Sequence, residues 1–151
     1  MAAQPRFAQA AVEMRARQEK SNRFSRSFKL ARGGFYDIDF LASYFMLKKA
    51  PIAADNTEHR LRALQQAGLL EASVAEELAQ AALLYRTVDH AVRLVTGRAR
   101  PELPAAEHAR QATESLVNRI LSRRNSGDLQ VELEATAVRV RQIFGELLAT
   151  G

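Results

Sequence analysis

The chain has 151 residues, of which 47% are hydrophobic and 26% charged, and its formal net charge is +5. This is the composition of an ordinary soluble domain, and it favours neither disorder nor a membrane protein. The absence of cysteine excludes disulfides and thiol nucleophiles, and three dispersed histidines are too few for a typical zinc site. No apolar run reaches the roughly 20 residues that a bilayer span needs, so we expect a cytoplasmic protein with no metal site.

The positive charge is concentrated at the N-terminus. Residues 1–32 hold eight Lys/Arg against two Asp/Glu, whereas residues 33–151 hold fourteen against fifteen. We therefore divide the chain into a basic N-terminal helix and linker, 1–32, and a helical bundle domain, 33–151, with the first helix packed on it. A solvated helix face is the favoured interpretation of the basic arm, and contact with nucleic acid or another anionic surface is the alternative.

Apolar residues recur at helical spacing along nearly the whole chain, which predicts an all-α fold. Connectors are short, so consecutive helices should pack as mostly antiparallel neighbours in a bundle of about six helices. The second helix is apolar almost all round and should be central. The predicted helices are 7–22, 37–50, 57–67, 73–96, 105–124 and 129–148.

Several residues indicate where these helices begin and end. Asn56 or Thr57 can cap the third helix, and Gly68 can adopt the left-handed conformation after its end. Ser73 with Glu76 has the spacing of a capping box for the fourth helix.

The stretch "KLARGGFYDIDF", Lys29–Phe40, carries the ingredients of a phosphate or metal site: Lys29, Arg32, Gly33, Gly34, Asp37 and Asp39. At 100° per residue, Asp37 and Asp39 would point about 200° apart on a helix, so they should not share a metal ion. Three interpretations remain open. They are a structural turn with carboxylates in the first helical turn, an ion-pair or interface role, and phosphate binding at the helix N-terminus.

Other polar and aromatic residues have structural interpretations. Arg86 can pair with Asp89 or His90 on the fourth helix, which favours a partly buried polar cluster over an acid–base pair. His59 and His108 should be exposed. The aromatic residues of the second helix should belong to the core rather than to a ligand site; they are Tyr36, Phe40, Tyr44 and Phe45.

The order of these motifs resembles one family, the bacterial glutamine-synthetase adenylyltransferases or adenylyl-removing enzymes. Lys29, Gly33, Gly34 and the run from Phe35 to Phe40 match the family pattern K-x-x-x-G-G-h-x-D-I-E-F, with Asp39 in place of Glu. "NTEHRLRALQQAGLL" is similar to N-T-x-x-A-L-x-x-L-x-x-A-G-L-L, with Asn56, Thr57, Leu61, Leu64 and 67–70 in register. Weaker matches are "VEMRARQEK" to an M-R-x-x-M linking helix, "RTVDH" to R-R-x-E-H, and "VRVRQIFGELL" to V-R-x-h-F-x-x-L. The connector "GRARPELP" departs from the family's D-x-Q-T-H-x-L-P and keeps only Leu103 and Pro104.

The resemblance implies a helical domain that follows a nucleotidyltransferase domain. The parent enzymes transfer AMP from ATP, with magnesium, to a tyrosine of glutamine synthetase, and remove it by phosphorolysis under control of the PII signal protein. The nucleotidyltransferase motifs are not in these 151 residues, so this chain alone should not be catalytic and should need no cofactor. Its implied partners are a nucleotidyltransferase domain, glutamine synthetase and PII, with a docking or regulatory role. The competing hypothesis is a free-standing helical adaptor that binds an anionic partner through the basic arm.

Overall fold

A computed structural model describes residues 9–10, 12–17, 27–29, 31–49, 56–124 and 127–150. Residues 12–17, called the N-terminal segment below, are helical. Five longer helices follow, and the predicted all-α bundle of about six helices is confirmed. Their bounds are α1 Phe35–Lys49, α2 Thr57–Gln66, α3 Ala72–Thr96, α4 Glu107–Ile120 and α5 Leu129–Thr150.

The core lies where α1 and α3 meet the other helices. Helix α1 contacts α2, α3 and α5, and α3 contacts every other helix of the five. Helix α1 buries Ile38 and Leu41 and α3 buries Leu78 and Val88, each to 1% exposure or less, so these two helices supply the centre of the bundle. The prediction that the second helix is central is therefore confirmed.

Helix ends agree with the sequence at some positions and differ at others. The Asn56 side chain accepts a hydrogen bond from His59 N at 2.9 Å, and Gly68 has a φ of 73°, as expected. The capping box at Ser73 is wrong, because α3 begins at Ala72 and its N-cap, Glu71, makes no side-chain cap bond. Among the aromatic residues of α1, Tyr36 is 46% exposed, because it stands in the first turn and projects away from the core.

None of the described helices combines the length and the apolar character that a bilayer crossing requires. His59 and His108 are exposed, as predicted.

Candidate functional site at the glycine turn

The chain reverses into α1 through a turn whose backbone amides from Gly34 to Asp37 all donate to carbonyl groups of the protein. The bonds, donor first, are Gly34 N to Ala31 O, Phe35 N to Phe28 O, Tyr36 N to Lys29 O and Asp37 N to Gly34 O, at 2.9, 3.0, 3.0 and 3.1 Å. A helix N-terminus binds phosphate through free N–H groups. Because these amides already have carbonyl partners, the geometry does not support the phosphate-binding interpretation of this turn.

Both glycines are required here, for different reasons. Gly33 has a φ of 77°, and a Cβ on it would overlap the backbone of Ala137 on α5. Gly34 does not have positive φ, so Gly33 alone takes the left-handed conformation in this turn. A Cβ on Gly34 would nevertheless lie 2.8 Å from the carbonyl oxygens of Lys29 and Phe28. The turn therefore packs too closely to its surroundings to admit a side chain.

Asp37 is the centre of the site. Its side chain is fully buried and accepts hydrogen bonds from Arg15 Nε at 2.5 Å and from Gly33 N at 2.6 Å. Arg141 on α5 also donates to it, at 3.3 Å, while its guanidinium lies 4.5 Å from the centre of the Phe144 ring. A buried carboxylate is tolerated when cations and hydrogen-bond donors surround it. Asp37 thereby joins the N-terminal segment, the turn and α5.

Tyr85 extends this network to α3. Its hydroxyl donates a hydrogen bond to Gly33 O at 2.6 Å. Since the Gly33 N–H donates to Asp37, both polar groups of the Gly33 backbone have side-chain partners. Burial, with a smaller contribution from the charge of Asp37, raises the pKa of the Tyr85 phenol far above its ordinary value. The phenol therefore stays protonated and acts as a donor. We call these five residues the Asp37 node: Arg15, Gly33, Asp37, Tyr85 and Arg141.

Asp39 faces a different part of the bundle. It accepts a hydrogen bond from Thr57 Oγ1 at 2.8 Å, at the first residue of α2, and lies 3.5 Å from Arg60 NH1. The two aspartates thus point to separate partners, in agreement with the angle expected for a helix. No three His, Asp or Glu side chains form a possible metal site in the parts of the chain that the structure describes.

The remaining residues of the motif lie around the node. Lys29 Nζ forms an ion pair with Asp89 Oδ1 on α3 at 2.9 Å. Arg32 is exposed at the turn. Phe40 is partly buried, with its ring 5.9 Å from that of Phe144 on α5.

The predicted polar cluster on α3 does not form as a unit. Arg86 bonds to Glu58 on α2 at 2.7 Å instead of to Asp89 or His90. Asp89 is shared by Lys29 and Arg93, and His90 is exposed. The structure therefore pairs Arg86 with the neighbouring helix, while Asp89 pairs within α3 with Arg93 instead of Arg86.

A mostly apolar cavity of about 120 Å³ lies beside the node, between the turn and helices α3 and α5. Small-molecule sites usually have volumes of about 300–1,000 Å³. This cavity is smaller than a nucleotide site, and its walls include Phe28, Gly34, Tyr85 and Leu103.

Arg15, Tyr85 and Arg141 were not identified as site residues from the sequence. Two of them nevertheless stand within the family motifs: Arg15 is the Arg of the M-R match, and Arg141 is the Arg of the V-R-x-h-F match. Tyr85 had no such signal beyond its apolar spacing on α3.

Fold and node together define the class of protein as an all-helical bundle domain whose N-terminal segment is held by a buried carboxylate. A family model described as GlnD PII-uridylyltransferase matches residues 6–148, and the chain belongs to that family.

Curated relatives agree with the resemblance to glutamine-synthetase adenylyltransferases, which is confirmed. A "Bifunctional glutamine synthetase adenylyltransferase/adenylyl-removing enzyme" of Rhodopseudomonas palustris is 32% identical over 136 residues, covering 87% of this chain. A protein of the same name from Bradyrhizobium diazoefficiens is 32% identical over 142 residues, again 87% of this chain. Another, from Hahella chejuensis, is 27% identical over 106 residues, or 68% of the chain. The chain spans only 11–13% of the length of these relatives.

Proposed function

We propose that the chain is a helical docking or regulatory domain of a glutamine-synthetase adenylyltransferase and does not itself transfer nucleotides. In this role it supplies a rigid body and an attached N-terminal helix through which a nucleotidyltransferase domain is held. The parent enzyme would use ATP and magnesium in the cytoplasm, with glutamine synthetase as its protein substrate and PII as a regulator.

The observation that carries this proposal is the meeting of three motif residues at one point. Arg15, Asp37 and Arg141 come from three separate matches to the family, and their side chains converge in the Asp37 node. The first of them stands on the segment that resembles the linking helix. A node that fixes this segment to the bundle sets the direction in which the chain enters it, which is what a domain that positions its neighbour requires.

The chemistry of the node also favours a positioning role. Asp37 is fully buried and has no exposed oxygen to act as a base. Tyr85 is held as a protonated donor rather than as a nucleophile.

The nucleic-acid adaptor hypothesis loses support from the same contacts. Arg15 and Lys29, two cations of the basic arm, are engaged by Asp37 and Asp89 within the protein.

Calorimetric titration of the chain with glutamine synthetase, with PII and with ATP plus magnesium tests this function. We expect heat of binding with at least one of the two proteins and none with ATP and magnesium. ATP binding alone, or binding of DNA or RNA that weakens steeply with salt, would contradict the proposal. The absence of binding heat with both proteins would also contradict a docking role for the chain.

A further inference from the structure

The N-terminal segment is attached to the bundle chiefly through one charged side chain. In this segment Arg15 is buried, at 1% exposure, and Ala16 is partly buried, whereas residues 12–14 and 17 are exposed. The larger apolar side chains, Val12 and Met14, are 39% and 50% exposed. None of the three apolar side chains of residues 12–17 therefore belongs to the hydrophobic core.

Helix α1, which shares the Asp37 node with this segment, is held in a different way. Five of its apolar side chains are no more than 7% exposed; they are Ile38, Leu41, Ala42, Tyr44 and Phe45. Burial of apolar surface is the main favourable contribution to folding, and elements with few such contacts open at a lower free energy than the rest of a protein. We therefore expect the N-terminal segment to detach more readily than α1.

The two oxygens of the Asp37 carboxylate are divided between the segment and the bundle. Arg15 Nε donates to Oδ1 at 2.5 Å. Gly33 N and Arg141 NH1 donate to Oδ2, at 2.6 and 3.3 Å. If the segment moves away, both donors to Oδ2 stay in place, and Oδ1 meets water where Arg15 was. The carboxylate is therefore compensated by a cation and an amide even without the segment.

Arg141 is held beside Asp37 by contacts that do not involve the segment. Its guanidinium lies 4.5 Å from the centre of the Phe144 ring, a cation–π contact within α5. Helix α5 in turn packs against α1 and α3. Arg141 therefore remains with the bundle and supplies the positive charge that Asp37 needs when Arg15 leaves.

We propose that the N-terminal segment is a releasable strap. In the closed state Arg15 binds Asp37, and the direction in which the chain enters the bundle is fixed. In the open state the segment leaves as a unit, while α1–α5 stay folded with Arg141 on Asp37, and that direction is free. The chain thus contains a two-state element that a partner can bias by binding one state more tightly than the other. The strap depends on the Asp37 node alone, whichever protein the chain docks to.

Amide hydrogen exchange followed by NMR measures strap opening on the full chain. The readout is the exchange rate of the amides of residues 12–17 divided by that of Ile38 and Leu41 in α1, each corrected for the intrinsic rate of its sequence. Unfolding of the whole bundle contributes to both rates, whereas strap opening contributes only to the first. We expect this ratio to be about ten or more in the wild-type protein.

Two substitutions at the node should shift the ratio in opposite directions. Arg15→Gln removes the closing contact and should raise the ratio by about tenfold, as expected for the loss of one charge-assisted hydrogen bond. Arg141→Gln should lower it, because an open strap then leaves Asp37 without either arginine. Arg17→Gln is the matched control, since Arg17 is an exposed arginine of the same segment, and it should leave the ratio unchanged.

Several outcomes would overturn the strap. Equal exchange of the segment and α1 in the wild-type protein would mean that the segment opens only when the bundle unfolds. A ratio in Arg15→Gln that does not exceed the ratio in Arg17→Gln would mean that Arg15 does not close the segment. Failure of Arg15→Gln to fold would show that the bundle needs the segment. A raised ratio in Arg141→Gln would remove Arg141 from its role, and if that variant does not fold, the comparison of Arg15→Gln with Arg17→Gln decides.

Discussion

At the scale of single residues, Asp37 illustrates how a carboxylate is kept out of water. Removing a carboxylate from solvent costs several kcal/mol unless charges and donors compensate for it. Arg15, Arg141 and the Gly33 amide do so here, and the Arg15 side chain is itself only 1% exposed. If Asp37 is lost, the buried Arg15 guanidinium loses the carboxylate that it faces.

Replacing this carboxylate should be much more harmful than replacing its neighbour in the motif. We expect Asp37→Asn to lower the free energy of unfolding by about 3 to 5 kcal/mol, because two guanidinium groups lose their counter-charge. Asp39→Asn is the matched control, because the Asp39 side chain is 43% exposed and the amide oxygen of the new asparagine can still accept a hydrogen bond from Thr57. This substitution should lower the free energy of unfolding by about 1 kcal/mol or less. Urea denaturation measures both. Similar losses in the two variants would show that Asp37 is not the centre of the site.

Gly33 and Gly68 are two of the four described glycines with positive φ, and comparing them distinguishes backbone strain from steric overlap. Gly68→Ala places a Cβ in open space, so it should cost only the left-handed penalty of about 1 to 2 kcal/mol. Gly33→Ala adds overlap with the Ala137 backbone and should cost clearly more. Thermal unfolding of the two variants compares them directly. Equal melting temperatures would mean that α5 moves away from the turn without penalty.

Tyr85 should make stability depend on alkaline pH. Since its pKa is raised in the folded protein, the phenol keeps its proton there, whereas in the unfolded chain it titrates near pH 10. Its contribution is thus complete below about pH 10 and is lost as the pH rises further. Tyr85→Phe should cost about 1 to 3 kcal/mol at neutral pH by leaving Gly33 O without its donor.

Urea denaturation between pH 7 and 11 tests this linkage. The wild-type protein should lose more stability between pH 10 and 11 than Tyr85→Phe, although both contain the same other tyrosines and lysines. Parallel pH profiles would contradict the role given to the Tyr85 proton.

At the scale of elements, α3 and α5 are joined by an ion pair outside the core. Arg139 donates to Glu77 through Nε at 2.6 Å and NH2 at 2.9 Å. This hydrogen bonding lowers the pKa of the Glu77 carboxyl. Both side chains are more than 40% exposed, so solvent screens the pair and its contribution is small.

The pair should lose its effect in acid. The pKa of Glu77 is lower in the folded protein than in the unfolded chain, so the ionised carboxylate stabilises the fold above the ordinary glutamate pKa of about 4.3. This stabilisation is lost as the pH falls through the lowered pKa. We expect Glu77→Gln to be slightly less stable than wild type at pH 7 and closer to wild type at pH 3. Denaturation midpoints at the two pH values measure this. Glu76→Gln, one residue away and exposed, is the control. A difference that persists at pH 3 would assign the loss to packing instead of charge.

At the scale of the whole molecule, the sequence predicts local features well and distant contacts poorly. Apolar spacing gives the helices, and the angle between Asp37 and Asp39 correctly separates their directions. The partners of Asp37 lie 22 and 104 residues away, at Arg15 and Arg141, and no periodicity relates them. The prediction that Tyr36 belongs to the core is wrong, because spacing alone does not show which side of the first turn faces solvent.

The span of these contacts has a consequence for synthesis of the chain. Asp37 leaves the ribosome about a hundred residues before Arg141, and domains generally fold as units during translation. Until α5 emerges, Asp37 lacks one of its two cations and Gly33 has no Ala137 backbone to pack against. The Asp37 node is therefore completed only after α5 has been synthesised, and its formation reports that all five helices of the bundle are present.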